Sequence, residues 1–288
     1  MGAPTWPPSP QRSGHPGKAG TLLDHPIRPV VPRLWAVAVV VALATTSAFA
    51  GEIPRGERRS GYEFMGRETR AMQDDDTANP GLLWVLEGGA LWSRKTGGAG
   101  RACGDCHGDA RASMKGVAAR HPAFDPAQGR PVSLEQRINA CRIDRQQATA
   151  LAYESRELLA LTAYVARQSR GLPIEVAIDA RAQPFLDAGR AIWERRQGQL
   201  DLACRQCHDD NWGRRLAGSV IPQAHPTGYP LYRLEWQGLG SLQRRLRNCL
   251  VGMRAEPYEY GDRELVDLEL YLMWRARGML MEAPAVRP

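Results

Sequence analysis

Two short strings constrain this chain more than anything else in it: Cys103-Gly-Asp-Cys106-His107 and Cys204-Arg-Gln-Cys207-His208. Cysteines three apart, followed at once by histidine, form the attachment sequence of c-type haem. The thiols add to the haem vinyl groups and the histidine ligates iron. A zinc half-site or a thioredoxin-like pair would use the cysteines, but neither explains a histidine in that place twice, and no βαβ pattern surrounds either string. The strings are also fixed points of an internal repeat. At an offset of 101, Gly88, Trp92, Cys103, Cys106 and His107 become Gly189, Trp193, Cys204, Cys207 and His208. At an offset of 107, RELLALTAYVARQSRG (156–171) becomes RELVDLELYLMWRARG (263–278). Two tandem copies of one haem-binding fold are expected, differing in loop length.

Each copy reads as a helix, a haem motif, loops and a closing helix. In the first, a helical pattern of Leu82, Leu83, Val85, Leu86, Leu91 and Trp92 starts at Gly81 and stops at Gly97, Gly98 and Gly100. Ser133 with Gln136 forms a capping-box signature, and Leu134, Ile138 and Cys141 then fall on one helical face. Leu242, Leu246 and Cys249 repeat that spacing. The closing helix, 156–170, buries Leu158, Leu161 and Val165 and ends at Gly171 and Pro173. This order resembles class I cytochrome c, whose first and last helices cross closely. Gly88 and Trp92 with Tyr164, and Gly189 and Trp193 with Tyr271, suit such crossings. The expected organisation is mainly α: an N-terminal arm (51–80), a first cytochrome c-like domain (81–171), a linker (172–184) and a second such domain (185–288).

Residues 1–50 read differently. Arg28 and Arg33, an apolar run over 34–44 and the small residues ending Ala48-Phe49-Ala50 form an export signal with cleavage after Ala50. The run is too short to span a bilayer unless left uncleaved. The segment ahead of Arg33 is long for such a signal, as an upstream start assignment would make it. Removing the leader takes away four basic residues and one acid, so the net charge falls from +7 to +4. Arginine supplies 35 of the 38 basic residues, a bias that genome base composition accounts for. The charge is too spread to argue for an anionic partner, and no nucleic-acid motif accompanies it.

His107 and His208 give each iron one axial ligand, so the sixth position carries the functional information. Met114 and Met253 do not correspond under the repeat. His121-Pro122 and His225-Pro226 correspond at an offset of 104, and Cys141 and Cys249 at an offset of 108. The two spare cysteines could form a disulfide, the usual fate outside the cytoplasm. Their matched positions instead turn each toward the interior of its own copy, where thiolate ligation is the favoured reading. Arg245 precedes Cys249 by four residues and Arg254 follows it by five, and guanidinium groups grip oxyanions through several donors at once. Arg137 holds the place of Arg245 in the first copy, so a scaffold role competes.

Longer strings are more specific still: MQDDDTANPG (72–81), ACGDCHGDA (102–110), MKGVAARHPAF (114–124), ACRQCHD (203–209), and TGYPLYRLEWQ (227–237) through CLVGMRAEPYEYG (249–261). In these the chain is similar to the SoxA family, dihaem subunits of the sulfur-oxidising SoxAX cytochromes, also described as L-cysteine S-thiosulfotransferases. The resemblance implies a periplasmic enzyme that forms a heterodimer with a SoxX-like monohaem cytochrome. Such an enzyme couples thiosulfate oxidatively to a cysteine of a SoxYZ-like sulfur carrier and passes electrons to a cytochrome c acceptor. Carried onto this chain, Cys249 is the active-site cysteine, found as a persulfide, and ligates the second haem opposite His208. Cys141 and His107 are the pair on the first. Because Cys103, Cys106 and His107 are present as well as Cys204 and Cys207, two covalently bound haem c groups are expected, with Arg245 and Arg254 holding the sulfonate end of thiosulfate. The competing expectation is a dihaem electron carrier in which Cys249 is structural. A haem-based sensor lacks any signalling segment.

Overall fold

The computed structural model describes residues 52–288, and the expected leader lies outside them. Among the described residues no helix is long and apolar enough to cross a membrane. The arm, expected to be irregular, contains two 3-10 turns, Arg55–Glu57 and Gly61–Phe64, and a helix, α1 (Arg67–Asp74). Ser60 caps the second turn: its hydroxyl accepts from Tyr62 N–H, and Ser60 N–H donates to Glu63. α1 is polar on nearly every face, and tertiary bonds hold it. Its buried Gln73 side-chain oxygen accepts from Val286 N–H at 3.1 Å and from the Arg287 guanidinium at 2.5 Å.

The first copy follows as α2 (Gly81–Ser93), the haem-motif helix α3 (Cys103–His107), α4 (Ala110–Ser113), a hairpin of β1 (Ala123–Asp125) and β2 (Arg130–Val132), α5 (Leu134–Gln146) and α6 (Arg156–Arg167). The second runs α7 (Gln183–Glu194), α8 (Cys204–His208), a small hairpin of β3 (Arg215–Leu216) and β4 (Ser219–Val220), the antiparallel pair β5 (Leu231–Arg233) and β6 (Gly238–Gly240), α9 (Leu242–Gly252) and α10 (Arg263–Arg275). A last strand, β7 (Val286–Arg287), lies parallel to β5. The hairpins β1–β2 and β5–β6 correspond at an offset of 108. The sequence treats both as loop because strands of three residues are too short to show alternation.

In each copy the first and last helices meet at backbone distance. A Cβ on Gly88 would sit 2.1 Å from the Ala160 carbonyl oxygen, and one on Gly189 would sit 2.0 Å from that of Asp267. Only glycine lets the helices approach so closely, and the expected aromatics flank both crossings, Trp92 against Tyr164 and Trp193 against Tyr271. The two copies share their core. Met273, Ala276 and Met281 of the second pack with Val165 and Ala166 of the first and Ile174 of the linker, while Val286, Tyr232 and Leu239 close over Val85, Leu159 and Ala163.

Where the copies meet there is a cavity of about 60 Å³ lined by Glu135, Thr162, Tyr229 and Glu269 among others. Glu135 and Gln243 are repeat partners, as are Thr162 and Glu269. The Thr162 hydroxyl is buried without a partner among the described residues. Burial raises the Glu269 carboxyl well above its ordinary value, the neighbouring Glu135 adds to this, and Gln243 opposes it. Burial also lifts Asp267 from 3.8 to about 6.

Gly189→Ala should cost about 3 kcal/mol through overpacking at the helix crossing, read as a lower urea midpoint. Gly252→Ala, with open space at its Cβ, should leave the midpoint nearly unchanged. A carboxyl whose folded pKa is raised stabilises the fold below its unfolded value, and that contribution is lost as pH rises through the folded value. The urea midpoint should therefore fall as pH rises above the ordinary carboxylate range, through about 6 for Asp267 and on for Glu269, and Glu269→Gln should flatten that fall. An unchanged slope in the variant would disprove the assignment to Glu269.

Candidate functional site

The motif helices are set by local caps. Ala102 N–H donates to the Asp105 carboxylate and Ala203 N–H to the Gln206 side chain, both at 2.8 Å, so the residue before the second cysteine closes the first turn in each copy. All six cysteines are free. The His208 ring stacks on Trp193 with centroids 5.6 Å apart, and its Nδ1 donates to the Pro222 carbonyl at 2.6 Å. That bond leaves Nε2 as the free donor atom, the usual arrangement of a metal-binding histidine. Burial depresses His208 to about 4, with the Pro222 bond opposing, so the ring is neutral at physiological pH, as ligation requires. His107 is exposed beside Trp92, with centroids 5.7 Å apart.

The cysteine helices α5 and α9 are tied to the motifs by one device used twice. The loop leading into each motif staples itself to the C-terminal end of the cysteine helix. Gly98 and Ala99 N–H donate to Gln147 and Gln146, and Gln199 and Leu200 N–H to Arg254 and Met253. Gly97 and Gly198 make the approach possible at φ of 69° and 73°, since a Cβ would sit 2.0 Å from the Gln146 oxygen and 2.2 Å from that of Met253. Cys141 is thereby brought to Cys103 and Cys106, whose charges interact with it, and Cys249 to Cys204 and Cys207. As a free thiol Cys204 is pushed up to about 12, first by burial and then by Cys249. Burial also raises Cys141, with Arg137 and Arg145 opposing. Each spare cysteine thus faces its own motif rather than the other spare. Each copy offers two thiols, an imidazole and a further sulfur, a donor set that fits covalent haem.

His121, on the cavity between the copies, and His225, against the arm, each carry a backbone bond at Nδ1 that leaves Nε2 free. His121 Nδ1 meets the Val117 carbonyl at 2.8 Å and His225 Nδ1 that of Arg59 at 3.0 Å. Met114 packs into the core of the first copy, and Met253 is buried at the end of α9.

The surroundings of the two spare cysteines differ in charge. Arg137, four residues before Cys141, is bonded to Asp125 at 2.9 Å. Arg245, its repeat partner, forms no ion pair among the described residues, although Glu235 acts on it at longer range. Cys249 raises its guanidinium above the ordinary value, against burial. The place of Asp125 on the hairpin is taken by Arg233, so an acid has become a second base. Arg233 is lowered by burial and then by Arg245, and Tyr229 and Cys249 act on it in the opposite sense. Its Nε is buried without a partner, while the rest of the guanidinium touches Glu235 at 2.9 Å and lies over Trp236. Tyr229 completes the group, its hydroxyl raised by burial, with Arg245 and Arg233 opposing and Cys249 adding. Arg254, expected here, is exposed beyond the end of α9 at φ 56°, and its side chain makes no hydrogen bond or ion pair. The sequence missed Arg233 and Tyr229; aligning the hairpins at the offset of the cysteines would have set Arg233 against Asp125.

Known proteins match both copies of the chain. The SoxA/TsdA cytochrome c domain matches twice, over residues 87–174 and 188–281. Two curated relatives described as L-cysteine S-thiosulfotransferase subunit SoxA align over most of their length. That of Pseudaminobacter salicylatoxidans is 36% identical over 86% of this chain and 87% of its own, and that of Rhodovulum sulfidophilum 38% identical over 80% of each. The crystal structure of SoxXA from P. pantotrophus superposes with a TM-score of 0.78 at 32% identity, covering 80% of this chain and 87% of that one. With both copies matched, and relatives above 30% identity over most of the chain, this protein belongs to the SoxA/TsdA cytochrome c family, on the side of the SoxA subunits.

Proposed function

We propose that this chain is the dihaem subunit of an L-cysteine S-thiosulfotransferase, joining thiosulfate to a cysteine of a SoxYZ-like carrier. The observation that carries the reading is the grouping of Cys249 with Arg245, Arg233 and Tyr229 beside Cys204 and Cys207. Two class I cytochrome c-like domains, 81–171 and 185–288, each hold one haem, through Cys103 and Cys106 with His107 and Cys141, and through Cys204 and Cys207 with His208 and Cys249. A SoxX-like monohaem cytochrome is the partner, in keeping with the SoxXA assembly of the solved relative. The leader directs the protein to the periplasm.

In the net reaction a bond forms between the sulfane sulfur of thiosulfate and the carrier cysteine sulfur. The thiol proton and two electrons leave. Cys204, Cys207 and His208 would hold a haem, which when bound would give those electrons an outlet toward the partner and a cytochrome c acceptor. Cys249, as thiolate or persulfide, receives the sulfane end. Arg245 and Arg233 grip the sulfonate, whose charge and three oxygens match two guanidinium forks. Tyr229 walls the same space. Arg254 lies apart from this grip, and Arg233 takes the role expected of it.

Cys249→Met should abolish conjugation of thiosulfate to the carrier while intact mass still counts two haems; retained turnover would rule out Cys249 as the sulfur-handling residue. Arg233→Gln should lower kcat/KM for thiosulfate about 30-fold, chiefly through KM, as loss of a charge-assisted bond of ~2 kcal/mol does. Arg233→Asp should cost more, because it restores the ion pair of the first copy and ties up Arg245. Equal effects from the two variants, or an effect on haem content with KM unchanged, would argue against anion binding by Arg233.

A further inference from the structure

The two copies present the same ligand types, yet the surroundings of His208 carry a feature the first copy lacks. Arg275, the last residue of α10, is 2% exposed despite its charge. Its guanidinium lies 4.2 Å over the Trp193 ring, pairs with the Asp209 carboxylate and donates to the Gln223 carbonyl at 3.4 Å. Asp209 in turn accepts from the Trp193 indole N–H at 2.8 Å. Asp209 directly follows His208, and Gln223 directly follows Pro222, whose carbonyl holds the His208 ring. One guanidinium therefore clamps together the two segments whose hydrogen bond orients the imidazole, and it backs the indole on which that ring stacks. The clamp continues outward, where the Gln223 side chain accepts from Arg59 N–H and donates to the Glu57 carbonyl of the arm.

The first copy serves as the natural contrast. Gly108 stands where Asp209 would be and Gln168 where Arg275 would be. The Gln168 amide donates to Tyr164 in its own helix, and the Trp92 indole donates to the Gly108 backbone. With no clamp, His107 is exposed, and among the described residues its Nδ1 has no hydrogen-bond partner.

We propose that Arg275, paired with Asp209, is a positioning residue for His208 and sets the charge behind the second haem, so that two sites with the same ligands differ in potential. This rests on haem ligation by His208. Because the pair is balanced, breaking it from either side should act with opposite sign.

The test uses holo-protein purified with its monohaem partner, with haems counted by intact mass before spectroelectrochemical titration. Asp209→Asn leaves the guanidinium unbalanced and should raise the midpoint potential of the second haem, Arg275→Gln should lower it, and the double variant should return close to the parent. The first haem should not move in any of the three. The low-spin paramagnetic resonance signal of the second haem should split into more than one species in Arg275→Gln, and Arg275→Lys should partly restore it. Single variants shifting the potential in the same direction, no shift, or both haems moving together would overturn the proposal. If Asp209→Asn yields no holo-protein, Gln168→Arg places an unbalanced guanidinium behind His107 and should raise the potential of the first haem; no change there overturns it equally. A parent protein lacking the second haem would overturn the ligand reading itself, and the initial mass measurement identifies that outcome separately.

Discussion

The contact on which the rest of this structure depends is backbone against backbone, where α2 crosses α6 at Gly88 and α7 crosses α10 at Gly189. With no side chain between them the helices make one rigid unit, and the tryptophan one turn further along is left to face the motif histidine. The loop that leaves the first helix then turns at Gly97 or Gly198 and bonds to the end of the cysteine helix. Crossing and staple together bring the helix of the spare cysteine to the haem motif, and in the first copy the Gln146 amide of that helix reaches the Cys103 sulfur at 3.6 Å. Precision at such a site comes from rigid elements rather than from the ligand side chains themselves.

Because this scaffold is built twice, the first copy shows what the scaffold alone requires. An arginine four residues before the spare cysteine belongs to it, since Arg137 has a carboxylate waiting on β1. A hairpin arginine does not belong to it. The exchange of Asp125 for Arg233 turns a neutral pair into two like charges, which repel by on the order of 2 kcal/mol where solvent is partly excluded. Arg233 recovers part of this through Glu235 and Trp236, while Arg245 forms no ion pair among the described residues. An arrangement that costs stability when empty and is relieved by an anion is better suited to binding than to folding.

Much of this could be read from the chain. The motifs, the repeat, the glycine crossings with their tyrosines and the capping box at Ser133 are local or periodic signals, and each reappears in the structure. What escaped was of other kinds. The helix in the arm is held by Gln73 bonding to the far end of the chain, which no local pattern announces. The hairpins are too short for alternation. Arg254 is close to Cys249 by residue count, but α9 ends at Gly252 and Arg254 follows at positive φ, exposed, so its place cannot be read from helical spacing. Arg233 was sixteen positions distant in sequence and became a neighbour through the β5–β6 turn.

The buried arginines around the second haem motif are compensated to different degrees. Near Cys249, Arg233 is partly balanced by Glu235, while Arg245 forms no ion pair among the described residues. Arg275 is buried against Asp209, which neutralises it, and Trp193, which covers it, since an uncompensated guanidinium there would cost several kcal/mol. Arg233 and Arg275 are thus two basic residues that the second copy adds to the scaffold, one facing a like charge and the other buried against a carboxylate.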